Sequence, residues 1–181
     1  MRLFVALPVA DDVREALAAS VARWRAHAGA GQARGWRWTR PEGWHVTVAF
    51  LGDVGEHRVG AVGEVVGTAV AGAGRIELRL DTVERFGRNV LHVRVVDEPP
   101  GAVAVLGTVV QQALRGADLP VQTREVRPHL TLARAGRRGV AAPGEMTVPQ
   151  LGWWVSAVGL YRSHLGDGPA RYELLERFEL R

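Results

Sequence analysis

A chain of 181 residues suits one domain or two small, closely packed lobes, and at this size about 70% of the extended surface is buried without staples. The absence of cysteine excludes disulfides and thiolate zinc sites, and the 23 basic residues set against 19 acidic ones are all arginine, leaving a net charge of only +4. With so few groups titrating in mildly alkaline water, the isoelectric point of about 10.8 overstates the basicity and does not by itself indicate nucleic-acid binding.

Residues 1–8 are too short an apolar run for a signal peptide or membrane span, and acidic residues follow at once, so a soluble cytoplasmic protein is expected. Leu3, Val5 and Leu7, interleaved with Phe4 and Ala6, read as a first strand that Pro8 ends. A helix capped by Asp11 or Asp12 follows, with Val13, Leu17, Val21 and Trp24 on its inner face as far as about His27. The glycines of 29–35 break it. Trp36, Trp38 and Trp44 then read as core anchors, leading into an apolar strand from His45 that Gly52-Asp53 closes. A second helix spans about 56–70 on Val59, Val62, Val66 and Val70, weakened by its glycines. His57 at its start and His27 read as solvated.

Ile76, Leu78 and Leu80 alternate with charged residues in a half-exposed strand, which pairs as a hairpin with 90–96 across the turn Gly87-Arg88-Asn89. A third helix begins near Pro99-Pro100-Gly101, buries Val103, Leu106, Val110 and Leu114, and ends near Gly116. After Pro120 comes a strand from His129, then a polar loop over 136–144. Two closing strands, 155–161 and 172–180, flank a turn-rich segment at 164–169.

Within this order one pattern occurs twice, His45-Val46-Thr47-Val48 and His129-Leu130-Thr131-Leu132, eighty-four positions apart. Alternate side chains of a strand share a face. His45 and Thr47 therefore oppose Val46, Val48 and Phe50, and His129 and Thr131 oppose Leu130 and Leu132. A strand and a helix precede each copy, and Leu3, Val5 and Leu7 match Leu91, Val93 and Val95 at an offset of 88. The repeated unit predicts two similar lobes about a pseudo-twofold axis, with both His/Thr faces lining one cleft. Two imidazoles across a cleft suit metal-free phosphodiester cleavage, one neutral to take a proton and one protonated to give it. The threonine hydroxyls are placed to donate to phosphoryl oxygens, and Arg134, three positions after Thr131, is a candidate fixed cation.

These motifs resemble those of the 2H phosphoesterases, most closely the RNA 2′,3′-cyclic phosphodiesterase branch formerly called 2′-5′ RNA ligase. The resemblance extends to the opening 2–8, the context 45–52, the second motif with its flanks 127–134, and Leu160-Tyr161-Arg162-Ser163. It implies an α+β, bilobal duplicated fold in which two pseudo-symmetric antiparallel sheets with outer helices face each other across a central cleft, residues 1–181 forming one domain of two intertwined lobes. It implies opening of an RNA or nucleoside 2′,3′-cyclic phosphate to the 2′-phosphomonoester, with His45 as proton donor, His129 as proton acceptor, and Thr47, Thr131 and Arg134 on the phosphate. No cofactor, metal or membrane is called for, the partners being RNA ends or nucleotides carrying a cyclic phosphate, and a monomer is expected. The competing readings are a different cyclic phosphate or a 2′-5′-linked oligonucleotide as substrate, a non-catalytic RNA- or nucleotide-binding module, and a zinc protein using His45 and His129. The last lacks a third ligand at metal-binding spacing.

Overall fold

The structure is a computed structural model describing residues 1–27, 35–136, 145–164 and 170–181. The expected breaks and loops over 29–35, 136–144 and 164–169 lie almost wholly outside the described residues. The elements are β1 (Arg2–Pro8), α1 (Asp11–His27), β2 (Trp36–Trp38), β3 (His45–Asp53), α2 (Val59–Val70), β4 (Ile76–Phe86), β5 (Val90–Glu98), α3 (Ala102–Gly116), β6 (His129–Ala135), β7 (Gly152–Val155), β8 (Ala157–His164) and β9 (Arg171–Glu179). The three helices form where the apolar spacing predicts. α1 buries Val13, Leu17 and Val21, with Asp11 and Asp12 in its first turn and Arg25 and His27 in its last, both complementing the helix dipole. Among the described residues no helix is long and apolar enough to cross a membrane.

The strands run in the order β7-β4-β5-β6-β3-β1-β8-β9, with β2 attached to β6. The order is palindromic: β6 answers β3, β5 answers β1, β4 answers β8 and β7 answers β9. Two lobes are therefore present as expected, but their sheets are hydrogen-bonded into one. The joint is a single antiparallel pair, Val46 with Leu130. Each lobe alone would present β3 or β6 as an open edge, and unpaired edges seek partners. Beyond the joint β3 and β6 part, and β2 takes up the freed edge of β6, Trp36 opposite Ala135, Arg37 opposite Arg134 and Trp38 opposite Ala133.

The helices and the apolar strand faces form the back of this sheet. Val46, Val48, Leu130 and Leu132 are all but fully buried there, and truncating one such leucine to alanine costs about 2–5 kcal/mol. α3 lies close on β3: a side chain at Gly107 would run into Val126 and stand 3.3 Å from the Val48 carbonyl. Trp36 and Trp44 are buried anchors as expected, and Trp38 packs at a tilt on Trp24 of α1 with ring centroids 5.7 Å apart. The His/Thr faces form the open front.

Two readings change at this level. Phe50, expected on the apolar back with Val46 and Val48, lies on the front. The register of β1 with β3 passes from Val5–Ala49 to Ala6–Thr47, leaving Val48 without a partner. A bulge of this kind adds one residue and inverts the alternation beyond it. The same slip occurs in β6, where Leu91–Ala133 is followed by His92–Thr131 and Leu132 is passed over, so Arg134 shares the front with His129 and Thr131. The second change concerns the repeat. Phe50 pairs with Phe4, and its counterpart Arg134 with Val90, which sets the offset of the first strands at 86 rather than 88. A two-residue error keeps every side chain on its proper face, which is why the apolar pattern does not betray it.

Candidate active site

The site is assembled at the joint. Pairing is antiparallel about Val46 and Leu130, so the neighbours of these two residues interleave, His45 falling on the side of Thr131 and Thr47 on the side of His129. Diagonal neighbours of an antiparallel pair sit roughly 7–8 Å apart. The two histidines occupy one such diagonal and the two threonines the other, all four partly buried.

Each imidazole is fixed in the same way. Nδ1 of His45 lies 2.8 Å from the carbonyl oxygen of Gly43, and Nδ1 of His129 lies 2.6 Å from that of Arg127. A carbonyl only accepts, so Nδ1 carries the proton and donates it, which leaves Nε2 as the basic nitrogen of the neutral ring. Gly43 and Arg127 are themselves eighty-four positions apart, so the tether belongs to the duplicated unit. The bulged carbonyls are both satisfied: that of Val48 accepts from Nε2 of the buried Gln111 at 3.3 Å, and that of Leu132 accepts from the backbone N–H of Thr39, just past β2, at 2.8 Å.

The surroundings of the two rings differ. His45 sits among aromatics, with Phe4 at 4.7 Å and Tyr172 edge-on at 4.9 Å between ring centroids. Tyr161 stacks on Phe4 at 5.3 Å, and it lies back over Gly159, where any side chain would collide with its ring. His129 meets Phe86 edge-on at 4.8 Å and His92 at 5.2 Å. His92 is itself stacked on Phe86 at 3.8 Å and buried, with Nε2 3.8 Å from the Glu84 carboxylate. Arg94, opposite His129 on β5, is held by Asp81 and Glu84.

Burial pulls the His45 imidazole down to about 4, the Gly43 carbonyl opposing the shift and the charges of His129 and Arg134 adding to it. His129 is likewise lowered by burial, against the pull of the Arg127 carbonyl and with Arg134 again contributing. His92 is brought to about 4 by burial and by His129, with Glu84 opposing. In the free protein at neutral pH all three are thus uncharged, and an anion between His45 and His129 offsets the cost of protonating either. Arg134 influences both rings and also Tyr172 across the joint. Its charge is felt in both halves of the sheet.

The structure thus brings His45, Thr47, His129, Thr131 and Arg134 onto one face. The sequence alone does not place His92, Phe4, Tyr161 or Tyr172 beside the motif histidines. With the repeat in its correct register, the signal for His92 is its coincidence with Ala6, each opposite a motif threonine. Among the described residues no group of three or more His, Cys, Asp and Glu side chains is placed to hold a metal ion.

A palindromic α+β sheet bearing a carbonyl-tethered His and a Thr from each half defines a duplicated two-histidine site of the 2H phosphoesterase class. The chain belongs to the 2′-5′ RNA ligase superfamily, whose profile matches residues 13–167. Relatives named RNA 2′,3′-cyclic phosphodiesterase include one from Escherichia coli, 28% identical over 99% of this chain and 96% of its own length, and one from Thermus thermophilus, 28% identical over 100% and 91%. Among solved structures, a Thermus thermophilus protein superposes with a TM-score of 0.80 at 25% identity, covering 100% of this chain and 98% of that one. E. coli LigT in complex with NADP+ gives 0.76 at 26%, covering 99% and 97%.

Proposed function

We propose that this protein hydrolyses RNA or nucleoside 2′,3′-cyclic phosphates to 2′-phosphomonoesters by two-histidine acid/base catalysis, residues 1–181 acting as one catalytic domain. The observation that carries the reading is the pair of imidazoles tethered alike through Nδ1 on one face, with neither Nε2 hydrogen-bonded among the described residues. The relatives' shared name, RNA 2′,3′-cyclic phosphodiesterase, supports the substrate class, and the NADP+ complex of E. coli LigT supports a nucleotide ligand for this fold.

The cyclic phosphate sits among His45, Thr131, Thr47 and His129. Nε2 of neutral His129 takes a proton from water as its oxygen attacks phosphorus. The P–O bond to the 3′ oxygen lies in line and breaks, and Nε2–H of protonated His45 delivers the proton that this oxygen needs. The 2′ ester remains. Thr47 and Thr131 donate O–H to the non-bridging oxygens, whose charge grows in the transition state, and Arg134 adds a permanent cation. Phosphate binding also raises the affinity of His45 for the proton it must carry, against the burial that lowers it in the free protein. The chemistry needs no metal, and a cysteine-free chain has no disulfide for an oxidising compartment to maintain, in keeping with the cytoplasm. Phosphorus NMR of the product of a nucleoside 2′,3′-cyclic phosphate tests the assignment: a 2′-monophosphate is expected, and a predominantly 3′-monophosphate would mean that the two histidines exchange roles or that the substrate lies reversed.

A further inference from the structure

The row of the sheet just beyond the His/Thr square ends in two arginines. Phe86 of β4 pairs with Val90 of β5, Val90 with Arg134 of β6, and Arg134 with Arg37 of β2. Directly opposed residues of an antiparallel ladder share a face. Phe86 touches His129, which fixes this row on the front. Alternation along β2 agrees: Trp36 is buried and Trp38 meets Trp24 of α1 behind the sheet, so Arg37 between them turns forward. Both arginines are exposed.

Like charges placed directly across a ladder destabilise it, and the protein relieves other charges on this face. Arg94 is paired with Asp81 and Glu84. Among the described residues neither Arg37 nor Arg134 makes an ion pair with a carboxylate. The two also differ in position. Arg134 lies on β6 with His129 and Thr131, whereas Arg37 stands one strand further out, on β2. Two guanidiniums without a carboxylate partner among the described residues, one beside the His/Thr square and one a strand further out, match two anionic groups joined by a spacer. A nucleoside cyclic phosphate has one such group, and an RNA strand ending in a cyclic phosphate has the next phosphodiester as well.

We infer that Arg37 is a second phosphate-binding residue, holding the internucleotide phosphodiester adjacent to the terminal phosphate that Arg134 grips, and that the preferred substrate is therefore an RNA oligonucleotide end. This rests on the cyclic-phosphate reading of the site. The test is therefore a binding measurement that needs no turnover. Dissociation constants are compared for wild type and Arg37→Gln with a nucleoside 2′-monophosphate and with a trinucleotide bearing a terminal 2′-phosphate. The substitution should weaken the trinucleotide about tenfold, leave the mononucleotide within about twofold, and reduce the salt slope for the trinucleotide by about 0.7, the share of one phosphate contact on a single strand. Equal weakening of both ligands, or of neither, would overturn the role of Arg37. Absence of turnover on any 2′,3′-cyclic phosphate would sink the catalytic reading while the binding comparison still decides this one.

Discussion

The two lobes carry the same reactive parts on different supports. Histidine, threonine, carbonyl tether and bulge recur at an offset of 84, but the residues beside them do not. Where the first lobe sets Ala6 against Gly159, the second sets His92 against Glu84. Where the first turns Phe50 to the front, the second turns Arg134. The first lobe packs its histidine against Phe4 and Tyr172, the second against Phe86 and a further histidine, His92. Duplication alone yields two equivalent imidazoles, whereas the proposed mechanism needs an acid and a base that are inequivalent. The distinction therefore resides in the neighbours rather than in the motif.

The largest expected effects come from removing either half of the pair. His45→Ala and His129→Ala should each lower kcat/KM on a nucleoside 2′,3′-cyclic phosphate by at least about 10²-fold, with melting curves showing the fold retained. Normal turnover in either variant would favour a binding module. Next is Arg134→Phe, which gives the second lobe the residue of the first. Loss of a charge-assisted hydrogen bond is worth roughly 1.5–3 kcal/mol, so turnover should fall about 10- to 100-fold while Tm moves little. Thr47→Val and Thr131→Val should each cost about tenfold in rate, again with little change in Tm; a large drop in Tm with normal turnover per folded molecule would make the threonines structural.

Smaller effects separate the supports. Gln111→Leu leaves the Val48 carbonyl unsatisfied, and urea unfolding should register a loss of about 1–3 kcal/mol. His92 titrates near 6.5 when unfolded and at about 4 when folded. The unfolded chain therefore binds the extra proton over this window, and stability falls as pH drops from about 6.5 to about 4. His45 contributes in the same sense. His92→Phe, which keeps the ring contact with Phe86, should flatten that acid loss without abolishing it; an unchanged slope of stability against pH would mean that His92 is not held neutral. Chelator treatment should leave activity unchanged, and loss of activity with loss of a stoichiometric metal would revive the zinc reading.

The duplicated motif and the alternation around it were legible in the sequence because a strand's period exposes which residues share a face. The helices were legible for the same reason at their own period. What lay beyond reach were features set by pairing between strands. The bulges at Val48 and Leu132 exist only relative to β1 and β5, so Phe50 reads as an inward residue until its register is known. β2 has three residues, too few for a period to declare itself, and its value lies in the edge of β6 that it fills. The closing region divides into β7 and β8 at Ser156, whereas apolar content alone reads one strand from Val155. His92 escaped notice because an offset of 88 aligns apolar residues as well as 86 does and sets Phe4, rather than Ala6, beside it.

The claim most open to direct trial is that the lobes divide the chemistry, His45 serving the leaving oxygen and His129 the water. A cyclic substrate in which sulfur replaces the 3′ oxygen expels a thiolate, a far weaker base than an alkoxide, which leaves without a proton. The account predicts that this substitution restores His45→Ala to within about tenfold of wild type on the same substrate, while His129→Ala keeps its full defect. Restoration of His129→Ala instead, or of neither variant, would contradict the assignment.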